Sequence, residues 1–150
     1  MATTKAAKAP AKKKTTKVFS DAEMEAMQDA KKERKKGKKE DGLDDLKAAL
    51  AKLNAAERAM GEKLHEIVTA NAPGLAPRTW YGMPAWADDT GKAVIFFTPA
   101  SKFKERYSTL GFNTGAKLDD GNFWPTSWAL TTLGSAEEKA IVALVKKAVG

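Results

Sequence analysis

Thr79-Trp80-Tyr81-Gly82-Met83-Pro84-Ala85-Trp86 places three aromatic residues, a glycine and a proline in eight positions. Aromatic side chains favour strands, so the run is expected to be extended. Gly82 and Pro84 interrupt it, and a proline has no amide to give a central ladder. The stretch therefore reads as one strand, bent at Gly82 and Pro84, at the edge of a sheet. It stands where the pattern of the chain changes, with helical periodicity before it and short β-like runs after it.

Upstream, Leu43, Leu46, Leu50 and Leu53 recur at three- and four-residue steps, the period of a helix. Asn54-Ala55-Ala56-Glu57 then has the form of a capping box, which breaks the helix and starts another. Met60, Leu64, Ile67 and Val68 form the apolar stripe of that second helix, and Asn71-Ala72-Pro73-Gly74 stops it. A further capping box, Ser20-Asp21-Ala22-Glu23, opens an earlier helix with Met24 and Met27 on its apolar side. That helix runs into the charged segment Lys31 to Lys36 and ends at Gly37.

Downstream, Asp88-Asp89-Thr90-Gly91 reads as a hairpin turn, and Ala93 to Phe97 as a central strand covered on both faces. Tyr107 to Phe112 and Trp128 to Thr131 read as further strands. Ser135-Ala136-Glu137-Glu138 caps a last helix with the stripe Ile141, Val142, Leu144, Val145 and Ala148. Helices, then strands, then a helix define an α+β fold: an antiparallel sheet of about five strands in a meander, packed against N- and C-terminal helices. The expected divisions are a disordered basic tail over 1–17, a charged helix and linker over 18–42, and the α+β domain over 43–150.

Charge is uneven along the chain. Of 26 Lys+Arg and 19 Asp+Glu, 13 and 7 precede Leu43, so the first 42 residues carry +6 and the remainder +1. The segment 1–17 has no acidic residue and no large apolar side chain after Met1, a composition that cannot offset the entropy of ordering. Lys5, Lys8, Lys12, Lys13, Lys14 and Lys17 are suited to nonspecific phosphate contacts, so a nucleic-acid arm is one reading of the tail. A solubilising extension is the other. With no cysteine and one histidine, thiolate chemistry, disulfides and a two-histidine metal site are excluded. No apolar run is long enough to span a bilayer, and no apolar segment follows the N-terminal lysines, so a cytoplasmic location without membrane contact is expected.

Six aromatics, Trp80, Tyr81, Trp86, Tyr107, Trp124 and Trp128, fall in the strand half. Aromatic walls with a few polar groups suit a ligand pocket, and Arg78, Lys102 and Arg106 suit an anionic group at its rim. The candidate binding set is Arg78, Trp80, Tyr81, Trp86, Lys102, Tyr107 and Trp124. Each tryptophan alone also reads as core. No nucleophile elbow, phosphate-cradling loop or acid–base pair is present, so an enzyme is not expected. His65 lies beside the apolar stripe of its helix and reads as a satisfied or exposed histidine.

Trp80-Tyr81-Gly82-Met83-Pro84, the strand Val94 to Phe97, Lys102, Thr109-Leu110-Gly111-Phe112 and Gly115-Ala116-Lys117-Leu118-Asp119-Asp120-Gly121 resemble the YdhG-like family, a domain family of unknown function. The resemblance covers nearly all of Leu43 to Gly150 and implies a compact sheet with flanking helices. Some members are described as frataxin-like iron chaperones. For this chain that implies iron held by carboxylates and partners in iron–sulfur cluster assembly. The carboxylates at hand are Asp88, Asp89, Asp119 and Asp120, with Glu62 and Glu66 on a helix. In the iron-chaperone branch a histidine tends to stand two positions after the lysine that matches Lys102. Here that position is Lys104, and a protonated lysine ligates no iron.

Overall fold

The computed structural model describes residues 20–36 and 42–150. The expectations for the lysine-rich tail, including Lys5, Lys8, Lys12, Lys13, Lys14 and Lys17, lie outside them. Helices α1 (Asp21–Lys36), α2 (Gly42–Ala51) and α3 (Ala55–Asn71) precede strands β1 (Ala76–Trp80), β2 (Met83–Ala87), β3 (Ala93–Thr98), β4 (Ser108–Phe112) and β5 (Ser127–Leu130), and helix α4 (Ser135–Ala148) ends the chain. The strands form one antiparallel sheet in sequence order, the meander read from the sequence.

The helix starts are local chemistry. At α1 the Ser20 amide donates to Glu23 Oε1 (2.9 Å) and the Glu23 amide to Ser20 Oγ (3.1 Å). At α3 Asn54 Oδ1 accepts from the Glu57 amide (2.8 Å), so the break between α2 and α3 falls where the sequence places it. The last helix is capped one residue earlier than Ser135: the Gly134 amide donates to Glu137 Oε1 (2.8 Å). The buried side of α1 is Ala26 and Ala30, whereas Met24 is exposed. Two alanines four residues apart let this helix approach β1 closely.

The strand stretch corrects the sequence reading. Thr79 to Trp86 is two strands: β1 reverses at Tyr81-Gly82 and returns as β2, with Trp80 opposite Met83 and Thr79 opposite Pro84. Both turn residues have positive φ, 53° at Tyr81 and 77° at Gly82, as a two-residue type I′ hairpin requires. Pro84 is not on an edge strand, because β2 lies between β1 and β3. It is tolerated because the pairing of β2 with β3 begins only at Ala85. The register of that pair slips between Trp86 and Ala87, leaving Val94 as the extra residue of a bulge.

Register decides which side chains share a face. Pro84, Trp86, Ile95, Phe97, Leu110, Phe112, Trp128 and Leu130 face one side, where they meet Leu46, Leu50, Leu64, Ile67, Val68, Ile141 and Val145 of α2, α3 and α4. Arg78, Trp80, Met83, Ala85, Phe96, Thr98, Thr109 and Gly111 face the other. On that outer face the Phe96 ring lies over Gly111, directly opposite it. A Cβ on Gly111 would stand 2.2–2.7 Å from ring atoms of Phe96. Gly111→Ala should therefore cost about 1–3 kcal/mol in urea unfolding. The same change in a Phe96→Leu background should cost clearly less, and equal losses in the two backgrounds would show that this contact is not the cause.

Candidate functional site

The outer face of the sheet carries a mostly apolar groove of 630 Å³ where β1, β2 and β4 meet α1. Trp80, Tyr81 and Met83 of the first hairpin form one wall, Glu23, Ala26 and Met27 of α1 another, and Thr98, Phe103, Glu105, Tyr107 and Thr109 close it from β3, β4 and their connection, so that its charged lining residues are both acidic. The aromatic wall is continuous. Tyr81 meets Trp80 edge-on at 5.0 Å, and Trp80 meets Phe96 at 4.9 Å.

Two backbone features build this groove. Tyr81 holds a left-handed conformation that asparagine or glycine would adopt at lower cost. Lys104 is the other non-glycine residue with positive φ (58°) among the described residues. It follows the 3-10 turn Ala100–Lys102, where the Lys104 amide donates to Ser101 O (3.4 Å) and the Glu105 amide to Ala100 O (2.8 Å). That pair of bonds is the Schellman pattern, whose left-handed position is usually glycine. Backbone strain persists only where surrounding contacts hold it, and both instances flank the same groove.

The turn that carries Lys102 is held from behind. Glu57, a buried carboxylate of α3, accepts from the Ser101 amide (2.9 Å) and the Ser101 hydroxyl (2.6 Å). Ser108 Oγ accepts from the Ala100 amide (2.9 Å). Lys102 Nζ lies 5.7 Å from the Phe103 ring centre, and the Arg106 guanidinium 5.0 Å from that of Tyr107. Two cations thus stand over rings that line the groove. A side chain on Gly82 would collide with Asp29 of α1 and crowd Lys102, so the hairpin tip is held between them.

The seven residues of the candidate binding set are distributed unequally. Trp80, Tyr81 and Tyr107 line the groove; Lys102 does not, although its Nζ lies 5.7 Å from the ring centre of Phe103, which does. Arg78 is committed elsewhere: its guanidinium donates to Gly91 O (2.6 Å) and Thr79 O (2.8 Å), tying β1 to the β2–β3 turn. Trp86 is on the opposite face, 0 % exposed in the core. Trp124 packs against the edge of that core, away from the groove walls. The sequence reading missed Met27, Met83 and Phe103, and nothing in their spacing marks them as neighbours. Only the register and the position of α1 bring them together.

Of the aspartates, Asp88 is a turn residue whose Oδ1 accepts from Thr90 Oγ1 (2.6 Å), the Thr90 amide (2.9 Å) and the Lys92 amide (3.0 Å). The Thr90 hydroxyl, followed by the two amides and the nearby Lys92 charge, holds its carboxyl below the usual carboxylate range. Asp89 shares that turn, and Asp119 and Asp120 are exposed in the β4–β5 loop. Among the described residues no group of three or more His, Asp or Glu side chains comes together to hold a metal ion. No helix among them is long and apolar enough to cross a membrane. No protein-family model, curated protein or solved structure matches this chain.

His65 has a structural partner. The indole of buried Trp86 donates through Nε1 to His65 Nδ1 (3.1 Å), with the two rings nearly parallel. The acceptor role requires Nδ1 to be unprotonated, which puts the imidazole hydrogen on Nε2. Desolvation, reinforced by Lys47 and opposed by Glu66, lowers the His65 pKa from its ordinary value near 6.5. The folded state then binds fewer protons than the unfolded state below about pH 6.5. Stability is full above that pH and should fall as the pH drops through it towards the lowered value. His65→Gln, which can still accept from the indole, should flatten this dependence in urea titrations at successive pH values. His65→Ala should cost about 1–3 kcal/mol at neutral pH by leaving the indole N–H without a partner. An unchanged pH profile in the glutamine variant would rule out His65 as its origin.

Proposed function

We propose that the protein is a non-enzymatic binding module whose ligand seat is the groove between α1 and the outer face of the sheet. The occupant is an aromatic or apolar group carrying an anionic substituent. The observation that carries this reading is the strained tyrosine: Tyr81 occupies a turn position that disfavours it, and its ring forms part of the groove wall. An aromatic floor receives the apolar part, and the charge must reach Lys102 and Arg106, which stand over Phe103 and Tyr107 outside the lining, clear of Glu23 and Glu105 within it.

Membership of the YdhG-like family is part of the same proposal and rests on the residue blocks that carry the resemblance. One of them, Trp80 to Pro84, contributes Trp80, Tyr81 and Met83 to the groove. Iron handling as a frataxin-like chaperone has less support. Asp88 already accepts three hydrogen bonds within its own turn, and the four aspartates gather with no further ligand into a site among the described residues.

The test is titration with 1-naphthoate, followed by backbone amide NMR. Shifts should be confined to Ala26, Tyr81 and the segment from Lys102 to Thr109, with dissociation in the range of about 0.1–1 mM. Tyr81→Asn should weaken binding at least about tenfold while leaving the melting temperature within a few degrees, since Asn-Gly is a favoured type I′ pair. Shifts elsewhere, or none up to about 5 mM ligand, would overturn the assignment.

A further inference from the structure

The groove and the cations beside it differ in sign. Its two charged lining residues, Glu23 and Glu105, are carboxylates, whereas Lys102 and Arg106 stand outside the lining over Phe103 and Tyr107. The division follows the course of the chain. Glu105, Tyr107 and Thr109 line the groove and Arg106 and Ser108 do not, the alternation of an extended segment. Glu105 and Arg106 are neighbours in sequence, yet no salt bridge joins them among the described residues. Glu23 is partly committed, since its Oε1 accepts from the Ser20 amide (2.9 Å). The Glu105 carboxylate has no hydrogen bond to any described residue, so it is the one able to turn towards a ligand.

A ligand whose only charge is negative fits this arrangement poorly. On its way to Arg106 it meets two carboxylates beside a mostly apolar hollow, where charges are screened less than in water. A ligand that also carries an ammonium turns that repulsion into attraction. The walls suit an ammonium as well. Aromatic faces attract cations, tryptophan most strongly, and no lysine or arginine stands over Trp80 among the described residues. The negative group then belongs at the Tyr107 edge, where the Arg106 guanidinium is 5.0 Å from the ring centre.

We propose that the groove receives an aromatic zwitterion, with its ring between the first hairpin and α1, its ammonium on Glu105 and its carboxylate on Arg106. This rests on the reading of the groove as a ligand seat and adds the second charge of its occupant. Successive residues of the protein offer a carboxylate inside the lining and a guanidinium outside it. The complementary ligand carries an ammonium and a carboxylate close together at one end of an aromatic side chain. A free aromatic amino acid is the smallest molecule of that class. The groove, at 630 Å³, is of the size that small-molecule sites occupy.

The test is a series on one ring, followed by backbone amide NMR of the full chain: 1-naphthoate, 1-naphthylmethylamine and 1-naphthylalanine. The amino acid should bind about five- to tenfold more tightly than either singly charged ligand. Glu105→Gln, at an exposed position, should remove most of that advantage and bind naphthoate more tightly than the wild type, because a repelling carboxylate is gone. Arg106→Gln, also at an exposed position, should weaken naphthoate and naphthylalanine but not the amine. A Glu105→Gln variant that shifts all three affinities in the same direction overturns the proposal, since a merely structural role would act that way. An amine that binds as tightly as the amino acid also overturns it. Naphthoate binding without a gain for naphthylalanine overturns the zwitterion and keeps the groove as a ligand seat. Absence of binding by all three up to about 5 mM overturns both readings.

Discussion

The two-residue turn at Tyr81-Gly82 is the constraint on which the rest of the molecule depends. A type I′ turn needs two successive residues in the left-handed region, and only Gly82 enters it without steric cost. Once the turn forms, Trp80 and Met83 face each other on the outer side and Trp86 is turned to the inner side. An extended strand would have done the opposite, placing Trp80 and Trp86, six residues apart, on one face. The turn thus divides the tryptophans between the core and the groove.

This is also where sequence reasoning reached its limit. Asn-Gly or Asp-Gly would have announced a hairpin, whereas Tyr-Gly does not, and the stretch was legible only as a bent strand. Pro84 reinforced that reading, because a proline in a strand argues for an edge. It is central here because the ladder to β3 starts one residue later. By contrast, the apolar run of β3 and the leucine spacing of α2 and α3 were legible, since a strand covered on both faces and an amphipathic helix each leave a periodic imprint. The candidate site was legible in part. Trp80, Tyr81, Lys102 and Tyr107 were visible as residue types, but the wall from α1 was not. Ala26 is too small to register as an apolar stripe, and of the two methionines that do register only Met27 lines the groove, whereas Met24 is exposed.

The two faces of the sheet are treated differently by the same chemistry. On the inner face, polar groups are few and fully partnered: Trp86 gives its N–H to His65, and buried Glu57 and Ser108 each hold the connection beyond β3. No buried side-chain nitrogen or oxygen is left without a partner among the described residues. On the outer face the Phe96 ring covers Gly111, and a hollow is left beside α1. The core lies on one side of the sheet and the groove on the other, with the turn after β3 fastened to the first and bordering the second.

The order of the strands has a consequence for how the chain reaches this state. Every strand pairs with its neighbour in sequence, so each ladder can close over a short loop before the next begins. Sheets built this way avoid the slow search that distant strand pairing imposes. The longest excursion within the sheet is the loop between β4 and β5, which is stapled to the last turn of α4 by the Lys117 amide. Phe123, exposed in that loop, is therefore among the last features to be set in place, and an incompletely folded chain would close its hairpins before it fixed this loop.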